Sequence, residues 1–113
     1  MSRVDNVILA FEESRRAVLI AQINDWLYAN AYRQRFGPPL SSVDAAYGGS
    51  KALEADLYVA AFNYFPEAKF LEFLRTLPWT QPHLVQVMIK RQWDENGWSI
   101  LNIDGKGARL TGG

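Results

Sequence analysis

The chain has 113 residues, 49% apolar and 13% aromatic, with 12 basic against 12 acidic side chains, one histidine and no cysteine. This length fits one domain around a single core, and the apolar content excludes disorder as the governing state. A zero net charge removes any general attraction to a phosphate backbone, and the lack of cysteine removes disulfides and thiolate metal sites.

Ser2 and Asp5 precede an apolar run and have the form of a capping box, with Asp in place of the usual Glu. No Gly or Pro follows until Gly37. Val4, Val7, Ile8 and Phe11 fit a helical stripe, and so do Leu19, Ile23, Trp26 and Leu27. The stripe weakens at Glu12-Glu13-Ser14-Arg15-Arg16. The spacing therefore predicts one long helix over 3–36, with a break or kink in that charged stretch. Gly37 and Pro38-Pro39 would stop it. Residues 40–52 read as a connector, with Ser41 or Ser42 capping a short turn through Tyr47 and Gly48-Gly49-Ser50 as a flexible break.

From Ala55 to Phe65 the sequence alternates, and its β-branched and aromatic content predicts a strand over 55–64. A helical period also accommodates Leu57, Ala61 and Tyr64. Both faces of the strand are apolar, so it is expected to be covered on both sides. Pro66 and Glu67 open a helix over 66–77, with Phe70, Leu71, Phe73, Leu74 and Leu77 on its apolar face and Pro78 as its stop. Strands over 84–93 and 98–103 flank Asp94-Glu95-Asn96-Gly97. Asn-Gly between alternating runs signals a tight hairpin, with Gly97 taking a positive φ. With Asn96-Gly97 as the two loop residues, Glu95 faces Trp98 and Trp93 faces Ile100. Val85, Val87, Ile89 and Trp93 then share one face, with Met88, Leu101 and Ile103 on the other. Residues 105–113 contain four glycines and read as a flexible tail on a single domain over 1–104.

The expected fold class is α+β: a long N-terminal helix followed by a β-α-β-β unit forming a small three-stranded sheet with helices packed on it. The 66–77 helix is expected on one face and the long helix on the other.

Few residues suggest chemistry. His83, beside Pro82 at a strand start, reads as a solvated loop histidine without a second triad signal. Gly48-Gly49-Ser50-Lys51 lacks the spacing of a phosphate loop, and Gly105-Lys106-Gly107 has no helix after it. One histidine without cysteine makes no zinc ligand set, and no dense Asp spacing suggests a hard-cation site. No enzyme activity, metal or cofactor is expected. Arg15-Arg16 and Arg33-Arg35 are balanced by Glu12, Glu13 and Asp25, so the basic spots form no nucleic-acid stripe. Two features suggest a protein partner instead. Glu54 and Asp56 begin an acidic stretch, and Trp93, Asp94, Glu95 and Trp98 place aromatic and acidic side chains together at the hairpin tip.

Several segments resemble a known type. They are Gly48-Gly-Ser-Lys-Ala-Leu-Glu54, Asp56-Leu-Tyr-Val-Ala-Ala-Phe-Asn-Tyr64, Phe65-Pro66-Glu67, Leu77-Pro78-Trp79 and Val85-Gln-Val-Met-Ile-Lys-Arg91. Together they are similar to small bacterial immunity proteins that neutralise toxins delivered between competing cells. The likeness covers under half the chain. It implies a cytoplasmic protein without catalysis and one cognate protein toxin as partner, a nuclease being one kind. Inhibition would come from covering the toxin's active site or a site beside it. The alternative from the residues is a structural or adaptor subunit acting as a homodimer. Met1–Phe11 has no signal-peptide core and no run of about 18 apolar residues exists, so no secretion and no membrane span are expected.

Overall fold

Val4-Asp5-Asn6-Val7-Ile8-Leu9-Ala10-Phe11 is a strand, β1 (Val4–Phe11), not the first turns of a helix. Asp5, Val7, Leu9 and Phe11 are buried while their neighbours are partly exposed. This is the two-residue period of a strand with one covered face. The charged stretch after Phe11 is the turn into helix α1 (Arg16–Asn30). Over its described part, residues 3–31, the expected long helix over 3–36 is thus two elements, with α1 packed on the buried side of β1. Val4, Val7, Ile8 and Phe11 make a helical stripe while Val7, Leu9 and Phe11 also fit a two-residue period, and pairing with two other strands decides between them.

The computed structural model describes residues 3–31, 38–43 and 47–104. The Gly37 stop, Arg33-Arg35 and the 105–113 tail lie outside the described residues. Ser41 and Ser42 form the short strand β2 (Ser41–Ser42) rather than capping a turn. Strands β3 (Tyr47–Gly48) and β4 (Lys51–Ala52) make a small hairpin, with Gly49 at a φ of 77° in its turn. The strand predicted over 55–64 is β5 (Asp56–Asn63), and the helix predicted over 66–77 contains α2 (Glu67–Arg75). A single 3₁₀ turn (Pro82–Leu84) leads into β6 (Gln86–Arg91), followed by β7 (Ser99–Asn102).

The α+β class holds, but the three-stranded sheet is replaced by five strands in the order β2-β5-β1-β6-β7. Every neighbouring pair is antiparallel. The β5-α2-β6 step does join parallel strands, yet they are not adjacent: β1 lies between them. The N-terminal strand is therefore the centre of the sheet.

The helices do not sit on opposite faces. Leu19, Ile23 and Leu27 of α1 and Phe70 and Leu74 of α2 join Val7, Leu9, Phe11, Val87 and Ile89 in one buried cluster. Trp26 of α1 stacks on Phe73 of α2 at 5.2 Å and tilts against Phe70 at 5.8 Å. The helices thus lie side by side on the face that carries the odd-numbered residues of β1. Trp79 seals the edge: it packs on Phe11 at 5.2 Å and donates its indole N–H to the Leu74 carbonyl at 2.8 Å.

The β6–β7 connection also differs from expectation. Gly97 does take a positive φ, 82°, but the pairing is Met88 with Ile100 and Val87 with Leu101. The chain turns early because the Asp94 N–H donates to the Arg91 carbonyl, while the Asp94 carboxylate accepts from the Arg91 N–H and guanidinium. Such an Asp-closed turn ends β6 at Arg91, with Ile89 and Ser99 the last pair of the β6–β7 ladder. The register moves by an odd number of residues, which exchanges the faces. Leu101 and Ile103 join the helix side, and Ile100 joins Met88 on the other.

Candidate functional site: the open sheet face

With both helices on one side, the even-numbered residues of β1 face away from the core. The register aligns Ser41, Val59, Ile8, Met88 and Ile100 in one row across all five strands. A second row runs Leu57, Ala10, Gln86 and Asn102, and a third runs Ala61, Asn6 and Lys90. Ile8, Leu57, Val59, Met88 and Ile100 are all partly exposed and stand outside the core cluster. A solvated antiparallel face normally carries polar residues at such positions. Here an apolar centre is framed by Asn6, Asn63, Gln86, Asn102 and a single ionised side chain, Lys90. Trp98, 37% exposed, immediately precedes β7 at the mouth of the β6–β7 connection, two residues before Ile100 in the chain.

The residues expected to bind a partner are not assembled into one patch. Asp56 pairs with Phe11 at one end of β1, whereas Arg91, which leads into the hairpin tip, pairs with Asp5 near the other. Six residues of strand separate these ends, about 20 Å. Glu54 is exposed near the first end. Asp56 lies 3.7 Å from the Arg16 guanidinium, an exposed pair of little energetic consequence. At the other end Asp94 holds the turn through Arg91, which also pairs with Glu67. Burial works against the Arg91 charge, but Glu67 and Asp94 outweigh it and hold its pKa above the ordinary value. Trp93, 59% exposed, and Glu95 remain at the surface. The hairpin tip therefore keeps an aromatic-acidic character without Asp94 as a free acid.

Two carboxylates that the sequence assigns to a helix cap and to surface charge balance, Asp5 and Glu13, prove structural, and Asp5 lies within β1 rather than at a helix start. Asp5 is 1% exposed; one oxygen accepts from the Arg3 guanidinium at 2.8 Å and the Phe65 N–H at 2.7 Å. Tyr64 takes a left-handed φ of 51° just before Phe65, turning that N–H inward. Glu13 is likewise enclosed, accepting from the Thr80 N–H at 2.7 Å, the Thr80 hydroxyl at 2.9 Å and the Arg15 N–H at 3.2 Å. It pins the β1–α1 turn to the loop after α2. A charged residue at a covered position of a two-residue period is the signal that marks Asp5 and Glu13 in the sequence, and it is visible only once β1 is read as a strand.

The Thr80 N–H bond chiefly lowers the Glu13 pKa; burial opposes it, and the Thr80 hydroxyl and Arg15 assist. A depressed folded pKa contributes stability above the unfolded value near 4.5. That contribution is lost as pH falls through the folded value. Thermal melts of Glu13→Gln should show a lower Tm than wild type at pH 7. The difference between the two proteins should shrink as the pH is taken from 5 to below 4; a constant difference would remove Glu13 as a source of acid sensitivity.

His83 is exposed in the 3₁₀ turn, and Gly48–Lys51 is the β3–β4 hairpin. Among the described residues no group of three His, Asp or Glu side chains is placed to hold a metal ion. No described helix is long and apolar enough to cross a membrane. Comparison of the chain with family models, curated proteins and solved structures finds no match in any of the three.

Proposed function

We propose that this chain is a non-catalytic protein-binding module whose docking surface is the open sheet face. The observation that carries this reading is the row Val59-Ile8-Met88-Ile100, an apolar stripe through the middle of a sheet that neither helix covers. Contiguous apolar surface with a polar frame marks interaction sites in soluble proteins. Its centre is depleted in charge and its margin holds Trp98, the composition of an interface core with its rim.

A narrower reading is that the module neutralises a protein toxin in the cytoplasm, as the resemblance to immunity proteins implies. The exposed Trp93 beside Glu95 at the hairpin tip favours it, since an aromatic anchor with an acidic neighbour suits a basic active site. Glu54 and Asp56, about 20 Å away along β1, would lie at the far margin of such a contact.

Native lysate passed over immobilised wild type, Met88→Lys and Glu95→Lys tests both readings. The open-face reading expects Met88→Lys to lose the bound protein while Glu95→Lys retains it. The toxin-lid reading expects the reverse pattern. Equal retention by all three excludes both surfaces.

A further inference from the structure

The strand order, charge and area of the open face suit one occupant. We propose that this face is covered by a second copy of this chain, packed sheet to sheet in a two-fold homodimer. This rests on the reading of the open face as a docking surface and names its partner.

Three observations lead there. The first is the position of β1. In the order β2-β5-β1-β6-β7 it is the third of five strands. A two-fold axis in the plane between two such faces, passing at Ile8, lays β1 on its own mate and leaves two strands on each side. The five-strand row then lies over its own mate: with the axis along the strands Val59 meets Met88 and Ser41 meets Ile100, and with the axis across them each residue meets its own copy. An isologous interface requires this self-complementarity, and an off-centre stripe would leave half of each row uncovered.

The second is charge. Lys90 is the single ionised residue among the outward positions of β1, β5, β6 and β7. It lies one strand and one row away from Ile8. Whether the axis runs along the strands or across them, two Lys90 side chains never face each other. The chain as a whole has zero net charge, so two copies meet without general repulsion. A partner bound by charge complementarity would find almost nothing on this face to read.

The third is area. The five strands hold twenty-eight residues. At roughly 3.3 Å along the strand and 4.8 Å across, they project about 450 Å² of sheet. Side-chain relief raises the accessible surface above its projection, and Trp98 extends the margin. Two such faces bury on the order of 1,000 Å² or more, the threshold for a specific interface. Aligned packing of twisted sheets at about −30° forms a sandwich core about 10 Å thick. The hairpin tips, with Trp93 and Glu95, lie at the ends of that sandwich and stay free.

Sedimentation of the full chain between about 1 and 100 µM tests the proposal, with circular dichroism confirming that each variant is folded. Wild type should approach twice the 12.8 kDa chain mass as concentration rises. Ile8→Glu should remain at the single-chain mass, with dissociation raised at least a hundredfold. Met88→Lys serves as the second variant in case Ile8→Glu unfolds. Glu95→Lys should dimerise as wild type does. A wild type that stays monomeric at 100 µM overturns the dimer, while the wider docking reading stands or falls on the lysate comparison. A folded Ile8→Glu or Met88→Lys that dimerises like wild type overturns it as well, by placing the interface elsewhere.

Discussion

Replacing Asp5 by alanine is expected to remove about 3 kcal/mol of folding stability and lower the Tm by on the order of 10 °C. Asp5 lies on the central strand, between Phe62 on one side and Arg91 on the other. Its side chain is 2% exposed, against 32% for its partner Arg3. Truncation takes away the acceptor of the Phe65 N–H, a donor that the fold has turned into the interior. An orphaned buried donor loses its share of water without replacement, and the Arg3 guanidinium loses its counter-charge at the same time. Asp5→Asn should lose less, about 1–2 kcal/mol, because its carbonyl still accepts from Phe65. Urea denaturation measures both. An alanine variant within 0.5 kcal/mol of wild type would show that this carboxylate is not what anchors the turn into α2.

Leu9→Ala should cost about 3–4 kcal/mol, whereas its neighbour Ile8→Ala should cost roughly 1 kcal/mol or less in the monomer. Leu9 is fully enclosed, level with Tyr58 and Val87 and beneath the helices. Removing its branched end leaves a cavity lined by α1 and α2 side chains that cannot all move inward. Ile8 is next in sequence and points the other way, where no helix sits. The contrast measures one-sided coverage directly. Melts belong at concentrations low enough to keep the chain monomeric, since a second copy on the open face would add stability through Ile8. Equal losses at the two positions would mean that the sheet is covered on both faces.

That one-sided coverage was hidden from sequence reasoning for an identifiable reason. Apolar residues on both faces of β5 suggest cover on both sides, yet Leu57 and Val59 stay partly exposed and Ala61 exposed on its outward face. What the pattern leaves open is whether a helix or another molecule supplies the second cover. Trp26 on Phe73 draws α1 against α2, and once the helices share a face nothing in the chain's described helices remains for the other. The spacing of the acidic residues was hidden in a similar way. Asp56 and Asp94 look alike in sequence, but strand direction sends them to opposite ends of the sheet.

What the sequence determined by itself are the features written within a dozen residues. The alternation of 55–64 and 84–93 marked β5 and β6, though β6 is shorter at both ends, the Pro66–Leu77 pattern specified α2, and Gly97 marked its positive-φ turn. Tertiary structure alone decided the rest. Val4–Phe11 suits helix and strand equally, and becomes the central strand because β5 and β6 pair with both its edges. The β6–β7 register depends on where Asp94 closes the turn, and an odd shift there moves every β7 side chain to the other face. Local pattern encodes period and punctuation, which neighbours in the chain settle between themselves. Strand order, helix side and the separation of surface charges depend on contacts between residues far apart in the chain, such as Val4 with Asn63 and Trp26 with Phe73, where only the folded chain brings the competing choices into one place.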